Sequence, residues 1–550
     1  MKDLIQIIIF TLFCFSFINS QKATVYYQNG QYSLIKGSYD FNGAAWGSYN
    51  DSLDLIGWGQ LNVYTNPSYP DSVQMHAAGY LEGALTHSRI FQHRHNIFDW
   101  MLNHYAPNKI WSPSLYKFLE DNLNYTKNNI KKYAAEDPYW QATGYILDQF
   151  EGLVEGYQKY YDSGEKLTEL DLFMYNSAGD LLDLATAASP ETRPKIEEMT
   201  EDEIMMRHFG FDHCTGFIKL ADNYSDIFVA QDAWFTLGSM NRIFKHYEFN
   251  LNDPFIKCHK LSFSSYPGLL FSFDDHYILD TGLAALETTF DIFNMSLYDL
   301  VQPKCILEWM RVRIAHSMAD TAPDWALIFS RENSGSYNNQ WLILDYKQFT
   351  PGTKPKENTL WCLEQVPGMI VSDDITDTLI NQTYVPSYNI PSFEIIFNIT
   401  GYPAMVKEYG DFWSYVNCSR AKIFRRNSSE IQTLEDMKKI MRYNQWKTDP
   451  LSLYDPGNAP CSRYDLKPLN TSRREAFGGL DSKIVSYESA QNMTVYAISS
   501  PTYDDQPVFK FSTCPFIFEH VGLPDTYDFP WQTFEWVDDQ KPKKQNKKEL

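Results

Sequence analysis

"FGFDHCTGFIKLADNYSDIFVAQDAW", residues 209–234, joins two kinds of chain. Just before it lies "SPETRPKIEEMTEDEIMMRH", residues 189–208, with two prolines and many charges. That is the composition of an exposed connector that a protease can reach. From Cys214 the period changes: "CTGFIKLA" and "DIFVAQDAW" read as two strands joined by the turn-rich "DNYS". A cysteine at such a junction has two readings. Either it is bound for a disulfide or the core, or it becomes the first residue of a mature chain.

Outward from the junction, the N-terminal side is mostly helical. Between about residues 75 and 187, Ile146, Phe150, Leu153, Tyr157 and Tyr160 recur at steps of three and four and form one apolar stripe. Residues 26–70, rich in Gly, Asn and Tyr, read as short strands and turns. On the C-terminal side "SMNRIFKHY" (239–247) and "LEWMRVRIAHSMAD" (307–320) read as helices. "KLSFSSYPGLLFSFDD" (260–275), "WALIFS" (325–330) and "QWLILDY" (340–346) read as strands. The expectation is an α+β chain with a helix-rich part over 21–188, a cleavable connector over 189–213 and a sheet-rich part over 214–550.

Composition narrows the function. Apolar residues make up 44% of the 550, enough for a large core, and aromatic residues 16%. A net charge of −22 argues against a nucleic-acid partner and against an electrostatic grip on anionic membranes. The start, "MKDLIQIIIFTLFCFSFINSQK", has basic Lys2, an apolar run from Leu4 to Ile18 and small Ser20, the pattern of a secretory signal peptide over 1–20. No later run approaches 18 apolar residues, so no transmembrane segment is expected. Ten N-x-S/T sequons begin at Asn50, Asn124, Asn223, Asn294, Asn381, Asn398, Asn417, Asn427, Asn470 and Asn492. With the leader they point to a glycosylated secreted or lumenal protein. The terminal "KKEL" closes a basic run and reads as a solvated tail.

Of eight cysteines, Cys14 lies in the leader, which leaves Cys214, Cys258, Cys305, Cys362, Cys418, Cys461 and Cys514. Seven is odd, so one thiol stays unpaired in an oxidising compartment and six could form up to three disulfides. There is no G-x-S-x-G elbow, H-E-x-x-H helix, P-loop or dinucleotide fingerprint. In "HRHN" (93–96), His93 and His95 diverge on a helix, so neither metal nor cofactor is expected. Cys214 then suits N-terminal-nucleophile chemistry. Its thiol would attack the His213 carbonyl, and hydrolysis of the thioester would free an α-amine on the nucleophile itself. That amine titrates near pH 8, low enough to serve as general base.

Residues 209–247 resemble the start of the catalytic chain in the phospholipase B-like family. So do "GWGQL" (57–61), "AAGYLEGALT" (77–86), "LDTGLAALETT" (279–289), "NSGSYNNQWLILD" (333–345), "GGLDSK" (478–483) and "SPTYDDQPVF" (500–509). The resemblance implies a four-layer αββα N-terminal-nucleophile sandwich, cleavage between His213 and Cys214, and association of the two fragments. It also implies deacylation of glycerophospholipids at sn-1 and sn-2 in a secreted or lysosomal protein. Cys214 would be the nucleophile and Asp232 would orient its α-ammonium, while Asn338 and Asn339 could supply an oxyanion amide. Gln231 and Trp234 would support the site, although Gln231 and Asp232 stand where the family segment leads one to expect a histidine and an asparagine. Arg331 could meet a substrate phosphate or form a surface salt bridge. Two rivals stay open: an amidase on N-acylated lipids or peptides, and a silent lipid-binding glycoprotein.

Overall fold

Two long helices, Asp71–Tyr105 and Pro138–Tyr160, meet along a seam of glycines. A Cβ at Gly79 would fall 1.8 Å from the Gln149 carbonyl oxygen, and one at Gly152 would fall 2.0 Å from that of His76. Only glycine permits so close an approach of two backbones. The second helix opens with Pro138 at its first position and the Asp137 side chain accepting from the Tyr139 N–H at 3.0 Å. Its stripe Ile146, Phe150, Leu153 and Tyr157 is buried, with Tyr160 packed at the margin. The computed structural model describes residues 20–536 apart from 163, 209–213, 469, 470, 472, 473 and 517. The leader up to residue 19, His213, Asn470 and the basic tail therefore lie outside the described residues.

Four strands precede the junction: β1 (Gln21–Gln28), β2 (Gln31–Lys36), β3 (Ala45–Asn50) and β4 (Gly59–Thr65). After it come β5 (Cys214–Leu220), β6 (Ile227–Thr236), β7 (Ile243–Glu248), β8 (Lys260–Ser265), β9 (His276–Leu279), β10 (Leu283–Thr289) and β11 (Asn339–Asp345). Then follow β12 (Leu360–Val366), β13 (Met369–Asp374), β14 (Tyr384–Ser387), β15 (Phe477–Gly479), β16 (Ser482–Val485), β17 (Val495–Ile498), β18 (Phe509–Lys510), β19 (Thr526–Tyr527) and β20 (Gln532–Phe534). Eleven strands make one sheet in the order β13-β12-β11-β10-β9-β8-β7-β4-β3-β1-β2, antiparallel throughout except for the parallel pair β4–β7. A seven-stranded sheet runs β14-β5-β6-β16-β17-β20, with β15 also on β6. β18 and β19 form a short pair of their own.

Alternation along the strands sorts side chains into separate cores. Ile218, Leu220 and Val229 of the smaller sheet share a core with Leu286, Leu342 and Leu344 of the larger one. Phe217, Phe228 and Ala230 point the other way and pack with Phe424 and Met437 of helices Ser419–Asn427 and Leu434–Met441. The far face of the larger sheet, including Ala285, Trp341 and Ile343, packs with Phe150 and Trp309 of the helices. The chain is thus mixed α/β, with two large, mainly antiparallel sheets and helices against them.

Two expectations need correction. Residues 243–247 of "SMNRIFKHY" belong to strand β7, not to a helix. Ile243 to Tyr247 are buried, and the charge of Lys245 is matched by Glu82 at 2.7 Å. "WALIFS" belongs to helix Ala322–Phe329, started by the Thr321 side chain accepting from the Asp324 N–H with Pro323 in the first turn. Among the described residues no disulfide joins the seven cysteines from Cys214 to Cys514: Cys305 lies beside Asn122, Cys362 beside Ser392 and Cys461 against Gly479.

The connector is mostly exposed but structured, with 3-10 turns at Pro190–Thr192 and Ile196–Glu198 and a helix at Glu201–His208. Ile204 and Met205 of that helix are buried. Among the sequons Asn124, Asn223, Asn294, Asn381, Asn398, Asn417 and Asn492 are exposed, and Asn50 and Asn427 partly so. No helix among the described residues is long and apolar enough to cross a membrane.

Candidate active site

Cys214 opens β5, and the register decides what its thiol meets. Cys214 pairs with Ala233, and Thr215 with Asp232. Opposed residues share a face, so Cys214 and Gly216 look into the space between the sheets. A Cβ at Gly216 would fall 2.7 Å from Leu286 across that space. Asp232 is on the opposite face. Neither of its buried carboxyl oxygens has a hydrogen-bond partner of good geometry, although the Ser482 hydroxyl pulls on it. Burial lifts its pKa well above the usual carboxyl range, against the opposing pull of the Ser482 hydroxyl.

On the thiol's side Gln231 pairs with Lys483. Gln231 Nε2 donates to the carbonyls of Asp274 and Glu287. Lys483 Nζ donates to Asp274 Oδ2 at 2.9 Å and Asp481 Oδ1 at 2.7 Å. Arg242 Nη2 joins the same carboxylates, at 2.5 Å to Asp274 Oδ2 and in a short contact with Asp481 Oδ2. Its guanidinium lies 4.9 Å from the Trp58 ring centre and 4.4 Å from that of Tyr266. Two buried cations thus balance two buried carboxylates. Burial alone would raise the Asp274 pKa, but Arg242 and Lys483 overturn that and hold it well below the usual range.

Burial pushes the Cys214 thiol well above its ordinary pKa, and Glu287 and Asp274 add to the shift against Lys483 and the Trp234 N–H. The thiol is therefore protonated as it stands and needs a base before it can attack. Around it the chain is strained: Phe273, Asp275 and Tyr337 take φ values of 65°, 41° and 51°. The Tyr337 hydroxyl lies 2.6 Å from the Phe273 carbonyl oxygen and 3.0 Å from Glu287 Oε1.

Arg420 holds the backbone beside the thiol. Its Nη1 donates to the Cys214 carbonyl at 2.8 Å and Thr215 Oγ1 at 3.1 Å, while Nη2 donates to the Tyr388 carbonyl at 2.9 Å. The guanidinium is stacked 4.3 Å from the Trp234 ring centre, so Trp234 serves as its platform. Asn389 follows β14, which pairs Ser387 with Gly216, and so lies near the start of β5. It takes φ 69° and donates Nδ2 to the Thr289 carbonyl at 2.6 Å, while its Oδ1 is buried without a partner.

The other expected residues are spread out. Asn339 pairs with Thr289, on the face of the larger sheet that carries Trp341 and Glu287. Its amide is buried with neither end hydrogen-bonded. Asn338 spends its Nδ2 on the Gly335 carbonyl at 3.0 Å. Arg331 pairs with Asp137 at 2.6 Å at the surface, the salt bridge that was its alternative reading. His93 is buried 2.7 Å from the Tyr175 hydroxyl, whereas half-exposed His95 is 3.7 Å from Glu519.

Sequence reasoning passed over Arg242, Asp274, Glu287, Lys483, Asn389 and Arg420. Glu287 and Lys483 stood inside blocks already singled out, "LDTGLAALETT" and "GGLDSK". Charged residues in strand-like runs are the available signal, since such residues are seldom fully buried without partners.

The buried acids predict a pH dependence. Asp232, Asp275, Glu287 and Glu308 are all raised above the carboxyl range, first by burial. A raised acid contributes its full stability below the unfolded pKa near 4 and loses it as pH climbs toward the folded value. His246 and His276 act oppositely: burial lowers both to about 3, so the unfolded chain takes up protons below about pH 6.5. Stability should therefore decline from pH 6.5 to pH 8, with Tm falling by roughly 5–10 °C. A Tm that rises over that interval would show that these acids are ionised in the folded chain.

The profile of the family described as Phospholipase B matches residues 45–534, from the first residue of β3 to the last of β20. The chain belongs to the phospholipase B family. Phospholipase B-like protein B of Dictyostelium discoideum is 39% identical over 500 residues, covering 90% of this chain and 86% of that one. Phospholipase B of Crotalus adamanteus is 38% identical over 524 residues, with 94% and 93% covered. Phospholipase B-like 1 of Homo sapiens is 37% identical over 522 residues, with 93% and 91% covered. The resemblance read from seven separate blocks is borne out, and this phospholipase B family chain carries the matched region across both sheets.

Proposed function

We propose that the chain is a self-processing cysteine acyl hydrolase of the N-terminal-nucleophile class that deacylates glycerophospholipids at sn-1 and sn-2. The observation that carries this reading is Cys214 itself: first residue of an inner strand, buried between two sheets, its carbonyl gripped by Arg420 and its thiol near Lys483 and Glu287. Two sheets sharing a core, each with helices on its other face, support an αββα sandwich of that class. The family name of the relatives supports the lipid substrate. Leader and sequons support a secreted or lysosomal glycoprotein.

In the uncut chain the Cys214 sulfur attacks the His213 carbonyl carbon, the peptide C–N bond breaks, and the nitrogen takes the thiol proton. Water then hydrolyses the thioester, leaving a His213 carboxylate and regenerating the thiol beside a new α-amine. With a phospholipid, that amine takes the thiol proton as sulfur attacks the acyl carbonyl. The departing alcohol receives the proton, and water releases the fatty acid from the thioester. Asp232, opposite Thr215 and so one residue along from Cys214, is a counter-ion for the α-ammonium on this reading, ionised once that new charge offsets the burial that raises its pKa. Asn389 joins Asn338 and Asn339 as an oxyanion candidate, favoured by its position at the start of β5.

The test pairs N-terminal sequencing of the purified protein with assays on matched ester and amide substrates. A fragment beginning Cys-Thr-Gly-Phe and fatty acid released from the ester are expected. Release from the amide alone would make the enzyme an amidase. Lipid binding without release would make it a silent lipid-binding glycoprotein.

A further inference from the structure

We propose that Leu453 and Tyr454 form an interfacial anchor that seats the Arg420 side of the Cys214 site on a zwitterionic phospholipid surface; the substrate side of this inference rests on the acyl-hydrolase reading above. Leu453 is 68% exposed and Tyr454 61% exposed, adjacent apolar side chains at the tip of one turn. Both are held at positive φ, 56° and 57°. That region is costly for branched and aromatic residues and free for glycine, so the turn itself does not call for these two.

The tip stands on a stiff base. Asp449 accepts from the Leu451 N–H at 3.0 Å, from Arg426 at 2.8 Å and from the Tyr443 hydroxyl at 2.7 Å. On the other side Asp455 pairs with Lys467 at 2.7 Å and accepts from the Gly457 N–H at 2.8 Å, while Asn458 Nδ2 donates to the Ser452 carbonyl at 3.2 Å. Gly457 and Asn458 then line a crevice with Asn389, Ile390, Trp413 and Arg420. One short loop therefore carries an apolar tip at one end and, at the other, a wall of the crevice lined by Arg420, whose guanidinium holds the Cys214 carbonyl. The free volume there is only about 20 Å³, the space of a water molecule or so. The net charge of −22 opposes anionic membranes, which selects a zwitterionic surface held by apolar contact.

The full-length protein and two double variants, Leu453→Gly with Tyr454→Gly and Leu453→Asp with Tyr454→Asp, would be floated with phosphatidylcholine vesicles. Their hydrolysis of vesicle lipid and of a short-chain phosphatidylcholine below its micelle concentration would be compared. Glycine suits the observed φ values, so the first variant should keep or raise Tm. Flotation should fall at least about tenfold in both variants, and vesicle hydrolysis with it, while turnover of monomeric substrate stays unchanged. Unchanged flotation in the glycine variant, or no flotation of the parent protein, would overturn the anchor. Flotation that depends on the two residues, with no hydrolysis of either lipid, would keep the anchor and remove the acyl-hydrolase reading.

Discussion

Cys214→Ala should leave one uncut chain with no detectable acyl hydrolysis. The substitution removes the sulfur that would start both reactions, and without the first reaction the base of the second is never formed. Loss of a nucleophile alone lowers turnover by on the order of 10⁴-fold or more. The fold should tolerate it. The side chain is buried and alanine deletes a single sulfur atom, a change of about 1 kcal/mol. Electrophoresis, N-terminal sequencing and Tm should be read together. A chain cut at the same bond in the variant would assign the cleavage to another protease. An uncut but fully active variant would remove Cys214 from catalysis altogether.

Arg242→Leu should cost about 3–5 kcal/mol in urea unfolding. Arg242 and Lys483 balance Asp274 and Asp481, and all four are buried. With the guanidinium gone, one carboxylate charge stays in the interior unmatched. Adding Asp481→Asn restores neutrality and should recover a good part of the loss. The orphaned carboxylate would also find protonation easier, so the deficit should shrink between pH 8 and pH 5. Wild-type stability in the single variant would mean that the four groups do not act as one network.

The junction at Cys214 was legible because two signals coincide there, a charged connector and an alternating run. The helical third was legible because a stripe such as Ile146, Phe150, Leu153 and Tyr157 has only one ready explanation. β7 was not. Both of its faces are buried, so its apolar residues do not alternate with polar ones, and Arg242 to His246 mimic the mixed polarity of a surface helix. The surroundings of Cys214 were hidden because they are assembled from far apart in the chain. Asp274, Glu287, Lys483 and Arg420 come from four distant segments, a loop, two strands and a helix, and only the tertiary fold gathers them around Cys214. Register also separated Asp232 from the thiol's face, which spacing along the chain could not reveal. The glycine seam was readable in retrospect: "GYLEG" and "GLVEG" carry the same four-residue step on two helices.

The parallel pair β4–β7 has a consequence for how this molecule could be lost. It joins Gly59–Tyr64 to Ile243–Glu248, and the Lys245–Glu82 ion pair spans the same divide. If the backbone is severed before Cys214, a single continuous sheet is shared by two separate polypeptides. Denaturation then produces two particles from one, and their reunion becomes second order, slower with every dilution. Assembly would happen once, while the halves are still tethered. Afterwards the protein would endure by the height of its unfolding barrier, with no efficient route back once that barrier is crossed.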